Sequence, residues 1–84
     1  MMTDLILTQL NDYIARQILK QPHAIIGSDA PLISSGLVDS FHLVDLSIFI
    51  EDQFGVRIDD IELNAETFDS LNQLAALIRS RQAE

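Results

Sequence analysis

Between residues 40 and 54 the apolar side chains fall on two rows, both at helical spacing. Leu43, Leu46, Ile50 and Phe54 stand at i, i+3, i+7 and i+11, the single stripe a helix needs to pack against a core. Phe41, Val44 and Ile48 form a second row at i, i+3 and i+7, well round the cylinder from the first and flanked by Asp45 and Asp52. Periodicity of this kind commits the segment to an α-helix. It also leaves one apolar row to explain. That row is either buried in a small bundle or a docking surface, since apolar patches rimmed by charge tend to mark interaction sites.

The other periodic segments are helical as well. Leu7, Leu10, Ile14 and Ile18 predict a first helix from Thr3 to about Lys20, with Thr3 as N-cap, Asp4 suited to its start and Lys20 to its end. Ser70 caps a last helix running to about Arg81, whose apolar row is Leu71, Leu74, Ala75 and Ile78. Gly55 ends the 40–54 helix, and Val56-Arg57-Ile58 is a short extended link. Asp59 to about Glu66 reads as a short, irregular helix with Ile61 and Leu63 inward and Asn64 opposing its extension. The expected fold is all-α, a four-helix bundle of three long helices and one short third helix, with residues 1–84 as one domain.

From Gln21 to Asp39 the periodicity stops, and Pro22, Gly27, Ser28, Asp29, Pro31, Ser34, Ser35 and Gly36 punctuate the run. Helix connections in small bundles are usually about 2–8 residues, so a loop this long is either disordered or functional. Ile25, Ile26, Leu32, Ile33 and Leu37 lie inside it, which favours an ordered loop pinned over the core.

Charge and composition remove several function classes. Residues 39–69 hold nine of the thirteen acids and one base, Arg57, for a net −8, equal to that of the whole chain. A field of that sign repels nucleic acid and anionic membranes, and it speeds encounter with basic protein surfaces; as a plain alternative it is a solvated face. No cysteine is present, so the chain has no thiol of its own. No apolar run approaches the ~20 residues of a membrane span and no signal-peptide pattern opens the chain, so a cytoplasmic protein is expected. Asp59, Asp60 and Glu62 lack the spacing of a Ca²⁺-binding loop, and His23 has no ligand-spaced partner, so no metal site is expected. Ser40, His42 and Asp45 are close in sequence, but positions two apart on a helix lie about 200° round the axis and cannot face each other. Catalysis by the chain itself is therefore not expected.

Ser40 sits where the loop Gly36-Leu37-Val38-Asp39 hands over to the helix, so it is either a helix cap or an attachment point. Asp69-Ser70-Leu71 repeats its Asp-Ser-apolar pattern, but Gln73 three residues after Ser70 makes that serine a capping-box residue. Leu43 holds the equivalent position after Ser40.

Gly36-Leu37-Val38-Asp39-Ser40-Phe41, Val44-Asp45-Leu46, Gln53-Phe54-Gly55-Val56 and Phe68-Asp69-Ser70-Leu71 together resemble the acyl carrier protein family, including its stand-alone peptidyl and D-alanyl carriers, over almost the whole chain. The resemblance implies that Ser40 carries 4′-phosphopantetheine, with Asp39 its neighbour in the motif. It further implies that Phe41, Val44, Asp45, Ile48 and Asp52 dock partners: a phosphopantetheinyl transferase and an acyl-activating ligase or synthase. An imported thiol would carry an acyl or aminoacyl thioester, and the carrier, expected to be a monomer, would perform no reaction. Gly36 ahead of Leu37, and Phe41 where fatty-acid carriers usually have leucine or methionine, look more like carriers paired with an AMP-forming ligase or serving specialised lipid and secondary pathways. The competing expectation is an unmodified acidic helical adaptor that binds a protein through Phe41, Val44 and Ile48.

Overall fold

The computed structural model describes residues 5–21 and 23–82; the Thr3 cap, Asp4 and Pro22 named above lie outside them. Among the described residues there are three α-helices and no strand: α1 (Leu5–Tyr13), α2 (Ser40–Phe54) and α3 (Leu71–Gln82). The expected fourth helix is a correction. Only Asp60–Glu62 forms a single 3₁₀ turn. It ends there because Asn64 turns its side chain onto nearby backbone, donating to Ile61 O at 2.7 Å and accepting from Thr67 N at 2.9 Å, a local alternative that outcompetes helix propagation. Ile61, expected inward, is 85% exposed. Val56 and Ile58, at alternate positions of the extended link, are buried instead and leave Arg57 outside.

The first helix widens at its end. After α1 the chain continues as a π-helical turn over Ile14–Ile18, with Leu19 N donating to Ile14 O at 2.9 Å. Ile14 and Ala15, which open this wider turn, are both fully buried. Lys20 then takes a left-handed conformation at φ 58°, and Gln21 N closes on Ala15 O at 2.8 Å. A β-carbon is disfavoured in that region by about 1–2 kcal/mol, and glycine's extra unfolded-state freedom cancels part of that. Lys20→Gly is thus expected to stabilise the fold by about 0.5 kcal/mol, a rise of about 3 °C in melting temperature for a domain of this size. A lower melting temperature would count against this account of the helix end.

One core joins the three helices. Leu10 and Ile14, then Leu43, Leu46 and Ile50, then Leu71, Leu74, Ala75 and Ile78 are buried together with Phe68, while Leu7, Ile18 and Phe54, the ends of the first two marked rows, are partly buried against them. Gly55 ends α2 in the left-handed conformation, φ 68°, its N–H bonded to Glu51 O at 3.0 Å.

The long loop is ordered, and it enters the core. Leu32 and Val38 are buried, and Ile26, Ile33 and Leu37 pack against the cluster, while Ile25 departs from expectation at 91% exposed. Side-chain amides hold the loop at both flanks. Asn11 of α1 donates to Ala24 O at 3.2 Å and accepts from Ile26 N at 2.7 Å. Asn72 of α3 bonds Asp29 Oδ1 at 2.7 Å, and its N–H bonds Ser28 O at 3.0 Å. No described helix is long and apolar enough to cross a membrane.

Candidate functional site

The N-cap of α2 is Asp39, not Ser40. Asp39 has extended backbone, φ −87° and ψ 178°, and its Oδ1 accepts the His42 N–H at 2.9 Å. A carboxylate in this position satisfies an otherwise orphaned first-turn amide and complements the positive end of the helix. The same Oδ1 lies 2.9 Å from His42 Nδ1. These contacts, the His42 backbone N–H first, hold the Asp39 carboxyl below its ordinary range.

Ser40 is the first helical residue. It is exposed, and its hydroxyl makes no hydrogen bond with any described residue. The choice between cap and attachment point is resolved on the first half, because Asp39 does the capping. His42 faces Asp39 rather than Ser40, so Ser40, His42 and Asp45 form no triad. Ser70 is the opposite case. It is buried, its Oγ accepts Gln73 N at 3.2 Å, and Gln73 Oε1 accepts Asp69 N at 2.6 Å. Ser70 therefore caps α3, as the capping-box spacing predicts.

The second row of α2 is on the surface. Phe41 is 83% exposed and Val44 and Ile48 about half exposed, with Asp45 and Asp52 also exposed beside them. Burial in the bundle is thus excluded for this row. It continues into an open groove of about 400 Å³ lined by Tyr13, Gln17, Asp45, Ile48, Phe49 and Asp52. Tyr13 stacks on Phe49 there, centroids 4.2 Å apart and planes at 21°. Burial, then the Asp45 charge, raises the Tyr13 hydroxyl pKa above its usual value. Sequence reasoning missed Tyr13 and Phe49. Phe49 falls between the two apolar rows of α2; Phe54 of the same helix meets it edge-on, centroids 6.2 Å apart, and the approach of α1 supplies the stacking partner Tyr13.

Two acids read as plain surface charge or motif spelling have specific partners. Glu62 makes a two-pronged ion pair with Arg81 of α3, Nη1 to Oε1 at 2.9 Å and Nη2 to Oε2, while Arg81 Nη1 also donates to Arg57 O at 2.9 Å. The Arg81 guanidinium holds the Glu62 carboxyl below its ordinary range. Asp69 Oδ1 accepts the N–H groups of Leu32, Ile33 and Ser34 at 3.1, 2.6 and 2.9 Å, and Oδ2 accepts the Ser34 hydroxyl at 2.5 Å.

Those donors, the Ser34 hydroxyl foremost, lower the Asp69 pKa. A carboxyl whose folded pKa lies below its unfolded value contributes stability that is complete above the unfolded pKa and lost as pH falls through the folded one. Asp69→Asn removes the titrating group. On acidification through the carboxylate range, its melting temperature is expected to fall less than that of the wild type. Parallel curves for the two proteins would contradict the assignment.

A 4′-phosphopantetheine group needs an accessible alcohol in a surrounding that tolerates a phosphodiester, and the exposed Ser40 hydroxyl meets the first of these needs. Asp39 already engages first-turn amide donors of α2, so a phosphodiester on Ser40 would share the positive helix end with a carboxylate rather than hold it alone. With His42 beside that carboxylate, the chemistry of the junction fits the group. Comparison with known proteins finds a family-model match, described as a phosphopantetheine attachment site, over residues 13–78. No curated protein and no solved structure matches this chain. Because the matched segment spans all of α2 and most of the core, the chain belongs to the phosphopantetheine-attachment family of acyl carrier proteins, non-catalytic carriers that bear a 4′-phosphopantetheine prosthetic group.

Proposed function

We propose that Ser40 is the attachment residue and that Asp39 presents it. The observation that carries this reading is the division of labour at the start of α2: Asp39 takes the cap, leaving the Ser40 hydroxyl exposed and without a hydrogen bond to any described residue. In the attachment step, Ser40 Oγ bonds to the pantetheine-side phosphorus of coenzyme A. The anhydride P–O bond breaks, adenosine 3′,5′-bisphosphate leaves with the electron pair, and the serine proton passes to a base on the transferase. When bound, the group supplies the thiol that this cysteine-free chain lacks, and the proposed cargo is an acyl or aminoacyl group held as a thioester.

The same reading assigns Phe41, Val44, Asp45, Ile48 and Asp52 as the docking face for the transferase and for an acyl-activating ligase or synthase in lipid or secondary metabolite biosynthesis. Exposure of the apolar row beside Asp45 and Asp52 supports it, since acids around an apolar patch favour a basic partner with an apolar contact. It takes residues 1–84 as one carrier domain, working as a monomer in the cytoplasm. The exposed row is equally what an unmodified adaptor would present, so modification decides between the two. Incubation with coenzyme A and a broad-specificity phosphopantetheinyl transferase is expected to add the mass of one phosphopantetheinyl group to the intact protein. An unchanged mass would leave the adaptor.

A further inference from the structure

We infer that Asp69, at the start of α3, is a positioning residue for modification at Ser40. The inference rests on Ser40 being the attachment residue. Asp69 is distant from Ser40 in sequence, but its carboxylate gathers three consecutive backbone N–H groups and one hydroxyl from residues 32–34, and its own carbonyl accepts the Leu32 N–H at 2.7 Å. Leu32 is thereby fixed in the core.

The fixing passes along the chain to the site. Leu32 O accepts Val38 N at 3.0 Å, and Val38 is buried as well. Residues between them form a closed turn, held inside by Ser35 Oγ on Pro31 O at 2.6 Å and by Gly36 N on Ile33 O at 3.0 Å. Gly36 sits at φ 81°, where a side chain is strained. Val38 is followed directly by the Asp39 cap and Ser40. The Asp69 carboxylate therefore sets where the segment leading into Ser40 lies, while α2 itself is held independently by Leu43, Leu46 and Ile50.

A transferase must meet Ser40 together with that segment. Removing the Asp69 charge weakens the hold on residues 32–34 and loosens the turn that leads into Ser40 without unfolding α2, so encounter suffers and the chemical step does not. The test is steady-state phosphopantetheinylation of the unmodified protein with coenzyme A, at a temperature where circular dichroism shows each variant folded. Asp69→Asn is expected to raise KM for the carrier about tenfold, equivalent to about 1.4 kcal/mol, with kcat within about twofold. Ser34→Ala, which removes only the Oδ2 donor, is expected to raise KM about threefold, the smaller change suiting the loss of one of four hydrogen bonds to the carboxylate.

Ile78→Val destabilises the core from a position more than two turns along α3 from Asp69, and it is expected to leave KM within about twofold of the wild type. Wild-type KM in both Asp69→Asn and Ser34→Ala, or an equal rise in Ile78→Val, overturns the inference. If Asp69→Asn does not fold, Ser34→Ala decides alone, and a wild-type KM in it overturns the inference. Failure of the attachment reading looks different, because the wild type itself then gains no mass and the inference falls with it.

Discussion

Ser40→Ala is expected to gain no mass with coenzyme A and transferase under conditions that convert the wild type completely, while Ser70→Ala is converted like the wild type. The two serines share an Asp-Ser-apolar context and both open helices, so the pair tests the assignment against its own decoy. Stability should run the other way. Ser40 is exposed, caps nothing and makes no hydrogen bond to a described residue, and alanine is the better helix former, so Ser40→Ala should lie within about 0.5 kcal/mol of the wild type. Ser70 is buried and accepts the Gln73 N–H; losing such a cap costs about 0.5–2 kcal/mol. Intact mass and thermal melts on the two variants give the crossed result. Modification of Ser40→Ala, or its loss in Ser70→Ala with the fold retained, would move the attachment elsewhere.

Reversing Asp45 and Asp52 together to lysine is expected to lower kcat/KM for modification by about ten- to a hundredfold at low ionic strength, in the range by which electrostatic steering changes association rates. Both carboxylates are exposed beside Val44 and Ile48 and line the groove toward Tyr13. Neither belongs to the core, so the fold should be kept. The deficit should shrink as salt is added, because exposed charges are screened over a Debye length of about 8–10 Å at physiological ionic strength. Stopped-flow or steady-state rates across a salt series provide the measurement. A loss that does not vary with salt would mean the two residues act by shape rather than by charge.

The rows that packed were legible because helical spacing is a local property. Leu43, Leu46 and Ile50 of α2, and all four marked residues of α3, are buried as their periods predict. Gly55 and Ser70 ended and began helices for equally local reasons, backbone freedom in one and a side-chain oxygen in the other. The short third helix was over-read because Asn64 prefers nearby backbone groups to the helical ladder, a competition that spacing does not display. Glu62 was read as solvated charge because its partner, Arg81, is nineteen residues away in sequence.

By itself, the sequence determined that this chain is all-helical, lacks a thiol, concentrates its acid in residues 39–69 and sets a serine between a long loop and a doubly apolar helix. These follow from residue identity and from spacing within one turn. Tertiary structure decided what the neighbours do. It exposed the Phe41 row, because the core takes α2 only through the Leu43, Leu46 and Ile50 side. It gave the cap to Asp39 and so freed Ser40. It also turned Asp69 into an anchor for a loop thirty-five residues upstream, since three consecutive N–H groups can converge on one carboxylate only after the core has brought the loop and α3 together.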